Sequence, residues 1–203
     1  MANRDTPNGF KPVRYLNGSP YNGAHNLYHK LATTAEALFI GDIVQLSGTA
    51  GLVGVQVNGV DVEGMPGILD GAVSSDVLGV VVGFYTDPDA LGTKYSPAST
   101  AAIVMVADDP YLIFEIHEDS VGTSFAAVDV GRHVDTIAML DGNTDTGISS
   151  LELDSSVASV TTTAMVQLLR LVPRAGNAIG TNARWEVRFI EHTFLSDTPS
   201  IGV

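Results

Sequence analysis

The chain predicts an all-β protein, a β-barrel or β-sandwich of about ten strands with an extended N-terminal arm. Three observations lead there. Short apolar segments recur along the chain, and several alternate with the period of two that marks a half-buried strand. Turn signals separate them, drawn from 21 glycines and 9 prolines. No stretch of ordinary helix length carries an apolar stripe of helical period.

Residues 1–36 read as the arm. Asn8-Gly9, Asn17-Gly18 and Asn22-Gly23 are turn dipeptides, and Pro7, Pro12 and Pro20 remove backbone donors and resist helix. Phe10, Tyr15, Tyr21 and Tyr28 are interleaved with these breakers. Such a segment cannot bury itself, so it lies on its own barrel or on a neighbour. Segment 32–39 is at most one helical turn.

Residues 37–195 read as the barrel or sandwich domain. Strands are expected at 43–46, 52–57, 60–62 and 67–69, with a turn at 47–51 and a hairpin at Asn58-Gly59. Segment 78–85, LGVVVGFY, is apolar on both faces and therefore central. Further strands are expected at 103–107, 112–117, 132–139, 148–153, 164–171 and 185–194. Residues 196–203 read as a C-terminal tail.

The stretch 99–122 poses the question of chemistry. It reads as a hairpin, two strands joined through Asp108-Asp109-Pro110, with Leu112, Phe114 and Ile116 facing the core. Ile113, Glu115 and His117 point the other way, and Glu115, His117 and Glu118 are expected on an exposed or subunit-facing edge. A glycosidase-type pair drawn from Asp108, Asp109, Glu115, Glu118 and Asp119 needs two carboxylates facing one cleft, one of them raised in pKa. Asp108-Asp109-Pro110 is better explained as a turn, and Glu118-Asp119-Ser120 as a strand exit.

Metal readings are also weak. Glu115, His117 and Asp119 share a strand face, but no second histidine lies nearby in sequence. His25 and His29 would share a face only on a helix, which Pro20, Asn22 and Gly23 oppose. Loop 141–147 has Thr146 where a calcium loop of the EF-hand type needs glycine at its sixth position. No phosphate loop, nucleophile elbow or zinc-protease motif is present, and the chain has no cysteine. The expectation is no enzyme, no catalytic residue, no metal and no cofactor.

Charge is unevenly spread. The net charge is −13, yet residues 61–155 hold 17 acids against Lys94 and Arg132. Residues 1–40 and 170–192 each carry a net +2. One reading is a solvated acidic surface; the other is that the two chain ends form a docking face while the middle faces solvent. A chain this acidic repels phosphate, so no nucleic-acid partner is expected. No segment reaches the ~20 apolar residues of a membrane helix, so no membrane partner is expected either.

Five segments carry a family resemblance: NGFKPVRYLNGSPYNG (8–23), ALFIGDIVQLSG (37–48), LGVVVGFYTDPDAL (78–91), YSPASTAAIVMVADDPYLIFEIHED (95–119) and VQLLRLVPRAGNAIGTNARWEVRFIEH (166–192). Together they resemble the capsid decoration, or cement, proteins of tailed bacteriophages. The resemblance implies a β-rich structural protein on the outer capsid surface of the virion, assembled in the host bacterial cytoplasm. Its partners would be the major capsid protein of the same phage and further copies of itself, a trimer before a dimer, bridging capsomers. In the arm, Phe10, Tyr15 and Tyr21 would anchor to the shell while Arg4, Lys11 and Arg14 pair with shell acids. The alternative is a phage fibre, spike or head-fibre component binding host glycans through Tyr85, Tyr95, Tyr111 and Trp185.

Overall fold

The computed structural model describes residues 3–71, 76–137, 142–156 and 164–195. Its strands, in chain order, are β1 (Lys11–Tyr15), β2 (Asn26–Lys30), β3 (Ile43–Ala50), β4 (Gln56–Val57), β5 (Val60–Asp61) and β6 (Pro66–Asp70). They continue as β7 (Gly79–Phe84), β8 (Ala102–Ala107), β9 (Leu112–His117), β10 (His133–Val134), β11 (Val166–Leu171) and β12 (Arg184–Phe189). The protein is all-β, as expected. β2, β6, β3, β7 and β8 close into a barrel, antiparallel except for the β2–β6 pair. β1, β9, β12, β11 and β10 form an antiparallel sheet in that order. β4 and β5 form a separate hairpin.

Alternation along β3, β7 and β8 feeds two cores at once, which is why these barrel strands carry apolar residues on both faces. Val44, Ile68, Leu78, Val81, Val104 and Val106 belong to one buried cluster with Tyr28 and Leu38. Their sequence neighbours Ile43, Val80 and Ala107 belong to the other, with Phe114 and Ile116 of β9 and Trp185, Val187 and Phe189 of β12. The second cluster therefore joins barrel to sheet. Segment 78–85 is central as expected, since β7 lies between β3 and β8. The Asn58-Gly59 hairpin also forms, with both residues at positive φ, 50° and 77°. It places Val57 and Val62 against Ile103.

The arm expectation is corrected. Residues 11–15 are an edge strand on β9, and residues 26–30 are a barrel strand between β6 and β8. Phe10 is 2% exposed, its ring 5.9 Å from Phe114 and 5.0 Å from Phe189. Gly9 makes this seat possible. It adopts φ +63°, and a Cβ there would lie 2.5 Å from the Gly41 carbonyl oxygen, which accepts the Phe10 N–H at 2.9 Å. The segment is built into its own fold by strand pairing that no local pattern announces.

Other expectations shift as well. Asp108-Asp109-Pro110 does not close a hairpin: β8 belongs to the barrel and β9 to the sheet, so the turn carries the chain across. Its chemistry is as expected, with Asp109 Oδ1 accepting the Tyr111 N–H at 2.8 Å. The turn expected at 47–51 is largely strand, because β3 runs on to Ala50 through a register shift. Segment 32–39 contains no helix, only the turn closed by the Thr34 N–H on Leu31 O at 3.1 Å. Segment 148–153 contributes isolated bridges rather than a strand. Of 132–139 only β10 is strand, residues 138 and 139 lying outside the described residues, as do Asp141 and the tail 196–203.

Candidate functional site

Strand register aligns a row of charges across the sheet. Lys11 pairs with Glu115, Glu115 with Glu186, and Glu186 with Arg170. Two carboxylates side by side at 7% and 5% exposure would repel, so each is clamped by two arginines. Glu186 receives Arg14 Nη2 at 2.6 Å and Arg170 Nη2 at 2.7 Å. Glu115 receives Arg174 Nη2 at 2.5 Å and Arg184 Nη1 at 3.0 Å. Burial alone would raise the Glu186 carboxyl, but hydrogen bonds and charge from Arg170 and Arg14 hold it below the ordinary value. The local signal was alternation: Arg184, Glu186 and Arg188 interleave with Trp185, Val187 and Phe189 along β12.

The same arginines organise a cleft of about 470 Å³. Residues 3–8 line part of it and residues 174–182 another, stitched together by Asn3, whose Nδ2 donates to Ala178 O at 2.8 Å and whose Oδ1 accepts the Ala178 N–H at 3.0 Å. Arg184 ties the N-terminal segment down through Thr6 O, Thr6 Oγ1 and Asn8 Oδ1. Asn177 holds the second segment, donating to Val172 O and Arg184 O and accepting the Arg184 N–H. Arg4, Lys11, Arg174 and Arg184 all line the cleft, against the single carboxylate of Glu115. Both chain ends thus contribute to one basic site.

His117 also lines the cleft and is 1% exposed. Neither ring nitrogen has a hydrogen-bond partner. Its Nδ1 lies 3.9 Å from Glu152 Oε1, beyond hydrogen-bond distance. Burial, then the Arg184 charge, pushes the imidazole down to about 4, outweighing Asp5 and Glu115. Burial, then Asp5 and Asp119, pushes the Glu152 carboxyl up to about 7. The imidazole is therefore neutral near pH 7, with one N–H to donate and one nitrogen to accept.

Of the remaining acids of stretch 99–122, Glu118 and Asp119 are buried, Asp108 is half-buried and Asp109 is exposed, and the exposed-edge reading of Glu115, His117 and Glu118 is corrected: β9 is an interior strand of its sheet, covered on both faces. Glu118 is fully buried and accepts Trp185 Nε1–H at 3.0 Å and the Phe125 N–H at 3.2 Å. Asp119 accepts the Ser155 N–H at 3.1 Å and the Ser155 hydroxyl. Asp108 accepts Tyr28 Oη–H at 2.6 Å and Asn26 Nδ2–H at 2.9 Å. Each carboxylate has a structural task. No three His, Asp or Glu residues able to hold a metal ion come together among the described residues. His25 is exposed and His29 buried, on or beside an extended strand.

The proposed arm anchors divide. Phe10 is core, Arg14 is committed to Glu186, and Tyr15 and Tyr21 are half-buried with rings 6.4 Å apart. Arg4 and Lys11 remain exposed at the cleft. The aromatic set expected for glycan also divides: Trp185 is fully buried, while Tyr85 and Tyr95 line a groove of about 590 Å³. Tyr111 sits instead beside Tyr15 and Leu16. No helix among the described residues is long and apolar enough to cross a membrane. No protein-family model matches the chain, and no curated protein or solved structure is significantly similar to it.

Proposed function

We propose that this chain is a structural protein of a tailed-phage head, binding the outer capsid surface and bridging neighbouring capsomers, with no catalytic role. One observation carries the reading. On a chain of net charge −13, basic residues from both ends converge on one cleft. An acidic protein that concentrates cations at one place can orient that place toward an acidic partner while its remaining surface repels. The major capsid protein of the same phage is the partner this reading assigns. The resemblance carried by segments 8–23, 37–48, 78–91, 95–119 and 166–192 supports it. The structural engagement of Glu115, Glu118, Asp119 and Asp108 favours a non-enzymatic role.

Self-association, a trimer before a dimer, would multiply these contacts over the lattice, so that weak single sites hold together. The groove between Tyr85 and Tyr95 favours a second reading, a head-fibre or spike component with a glycan surface. Trp185 has no part in it.

Charge reversal at the two exposed cleft cations tests the docking reading. Removing residues 1–23 would strip β1 and Phe10 from the fold, whereas Arg4→Glu with Lys11→Glu leaves the core untouched. The double variant is expected to co-sediment with phage heads at least tenfold more weakly than the parent. Parent binding should itself fall steeply as salt is raised. Undiminished binding by the double variant would overturn the cleft as the contact.

A further inference from the structure

We propose that the cleft recognises an acidic peptide segment, taking the side-chain carboxylate of an aspartate or glutamate between Arg4 and Lys11 and the adjoining peptide group on His117 and Asn182. The proposal rests on the docking reading only for the source of that segment, an exposed stretch of the shell protein.

Three features of the cleft specify this chemistry. Its cations outnumber its anions: Arg174 and Arg184 are already bound to Glu115, while among the described residues no ion pair engages Arg4 or Lys11. The Glu115 contacts show that guanidinium groups in this cleft accommodate a carboxylate.

Second, the cleft holds polar atoms with no partner. Both His117 nitrogens and Asn182 Oδ1 are buried and unsatisfied, and both residues line the cleft. A buried polar group left unmatched costs about 1–3 kcal/mol, which a ligand bond recovers. Asn182 Oδ1 can only accept, so it calls for an N–H donor on the ligand. A neutral imidazole donates once and accepts once. An anion with N–H and C=O groups beside it matches this set; a fully deprotonated inorganic anion such as sulfate or chloride offers no donor to Asn182.

Third, the residues that present these groups are fixed rather than free. Asn182 sits at φ +59°, on a turn held by Asn177 and Asn3. His117 ends β9, with its carbonyl accepting the Leu153 N–H at 2.8 Å. A site whose groups are already ordered loses less entropy on binding.

The test is an NMR titration of the full chain, with ring-labelled histidine and side-chain arginine resonances, using the capped tetrapeptide Gly-Asp-Asp-Gly. Its Gly-Asn-Asn-Gly counterpart and inorganic phosphate serve as comparison probes. The acidic peptide should give saturating shifts at the His117 ring and at Arg174 Nε, and the asparagine peptide should not. Arg4→Gln with Lys11→Gln, both on the surface, should weaken peptide binding at least tenfold while leaving the spectrum of the core unchanged. Absent shifts, equal response to the asparagine peptide, or phosphate moving these resonances while the peptide does not would each overturn the assignment. Head binding is read separately by co-sedimentation. Loss of head binding in the charge-reversal variant without any peptide response sinks the carboxylate assignment and spares the docking reading. Peptide binding with undiminished head binding does the reverse.

Discussion

Trp185→Ala will unfold this protein at a temperature on the order of 10 °C lower than the parent. Trp185 is fully buried, its ring centroid 6.0 Å from Phe125 at an interplanar angle of 86°. It belongs to the cluster that joins barrel and sheet, so neighbours on both sides limit collapse into the space left behind. Truncating a buried aromatic ring of this kind costs about 3–5 kcal/mol, a large part of a typical domain's ~5–15. The variant also removes one of the donors to Glu118 Oε2, leaving the Phe125 N–H at 3.2 Å. Trp185→Phe separates the two contributions, since it keeps much of the ring but not the N–H. A loss of about 1–2 kcal/mol is expected there. Urea melts of both variants check the order. Equal losses would mean that the hydrogen bond, not the packing, dominates.

Glu118→Gln is expected to change the pH dependence of stability rather than merely its level. Burial pushes the Glu118 carboxyl up to about 7, although Trp185, Phe125, Ser124 and Ala183 favour its charged form. Above the ordinary carboxylate range the unfolded chain has lost this proton while the fold still holds it. From this group, stability therefore falls as pH rises from about 4.5 to about 7. Glutamine does not titrate. Relative to the parent, the variant should gain roughly 3 kcal/mol between pH 4 and pH 8. A constant cost of about 1 kcal/mol is superimposed, since nothing accepts from an amide placed at the unpartnered Oε1. Asp42 and Glu152, also raised by burial, act with the same sign, and His117, lowered by burial, acts against them. For that reason the difference between variant and parent is the quantity to measure by urea melts across pH. A constant offset, or a variant that loses ground to the parent as pH rises, contradicts the assignment.

What was legible in the sequence follows the range of the interaction. Alternation placed Leu112, Phe114 and Ile116 in the core, and the glycine-bearing dipeptide at residues 58 and 59 placed the hairpin, because both are local. The double-sided apolar pattern of 78–85 marked a central strand correctly; that its two faces serve different cores requires the closed barrel. The fate of Glu115 and His117 was not legible. Their side of β9 is covered by residues 3–8 and 174–182, which arrive through the pairings of β1 and β12 with β9 and are held by Arg184. Turns and prolines made residues 1–36 look unable to bury themselves, and only the long-range seat of Phe10 against Phe114 and Phe189 reverses that. The charge split between chain ends and middle was visible from composition. Its convergence on one cleft depends on those same long-range pairings.

Cryo-electron microscopy of the assembled particle tests the central claim most directly. The account predicts density for this chain on the outer face of the head, repeated at a local symmetry axis, with Arg4, Lys11, Arg174 and Arg184 turned toward an acidic segment of the shell. Density confined to the tail, or a head-bound chain whose cleft opens to solvent, would contradict it.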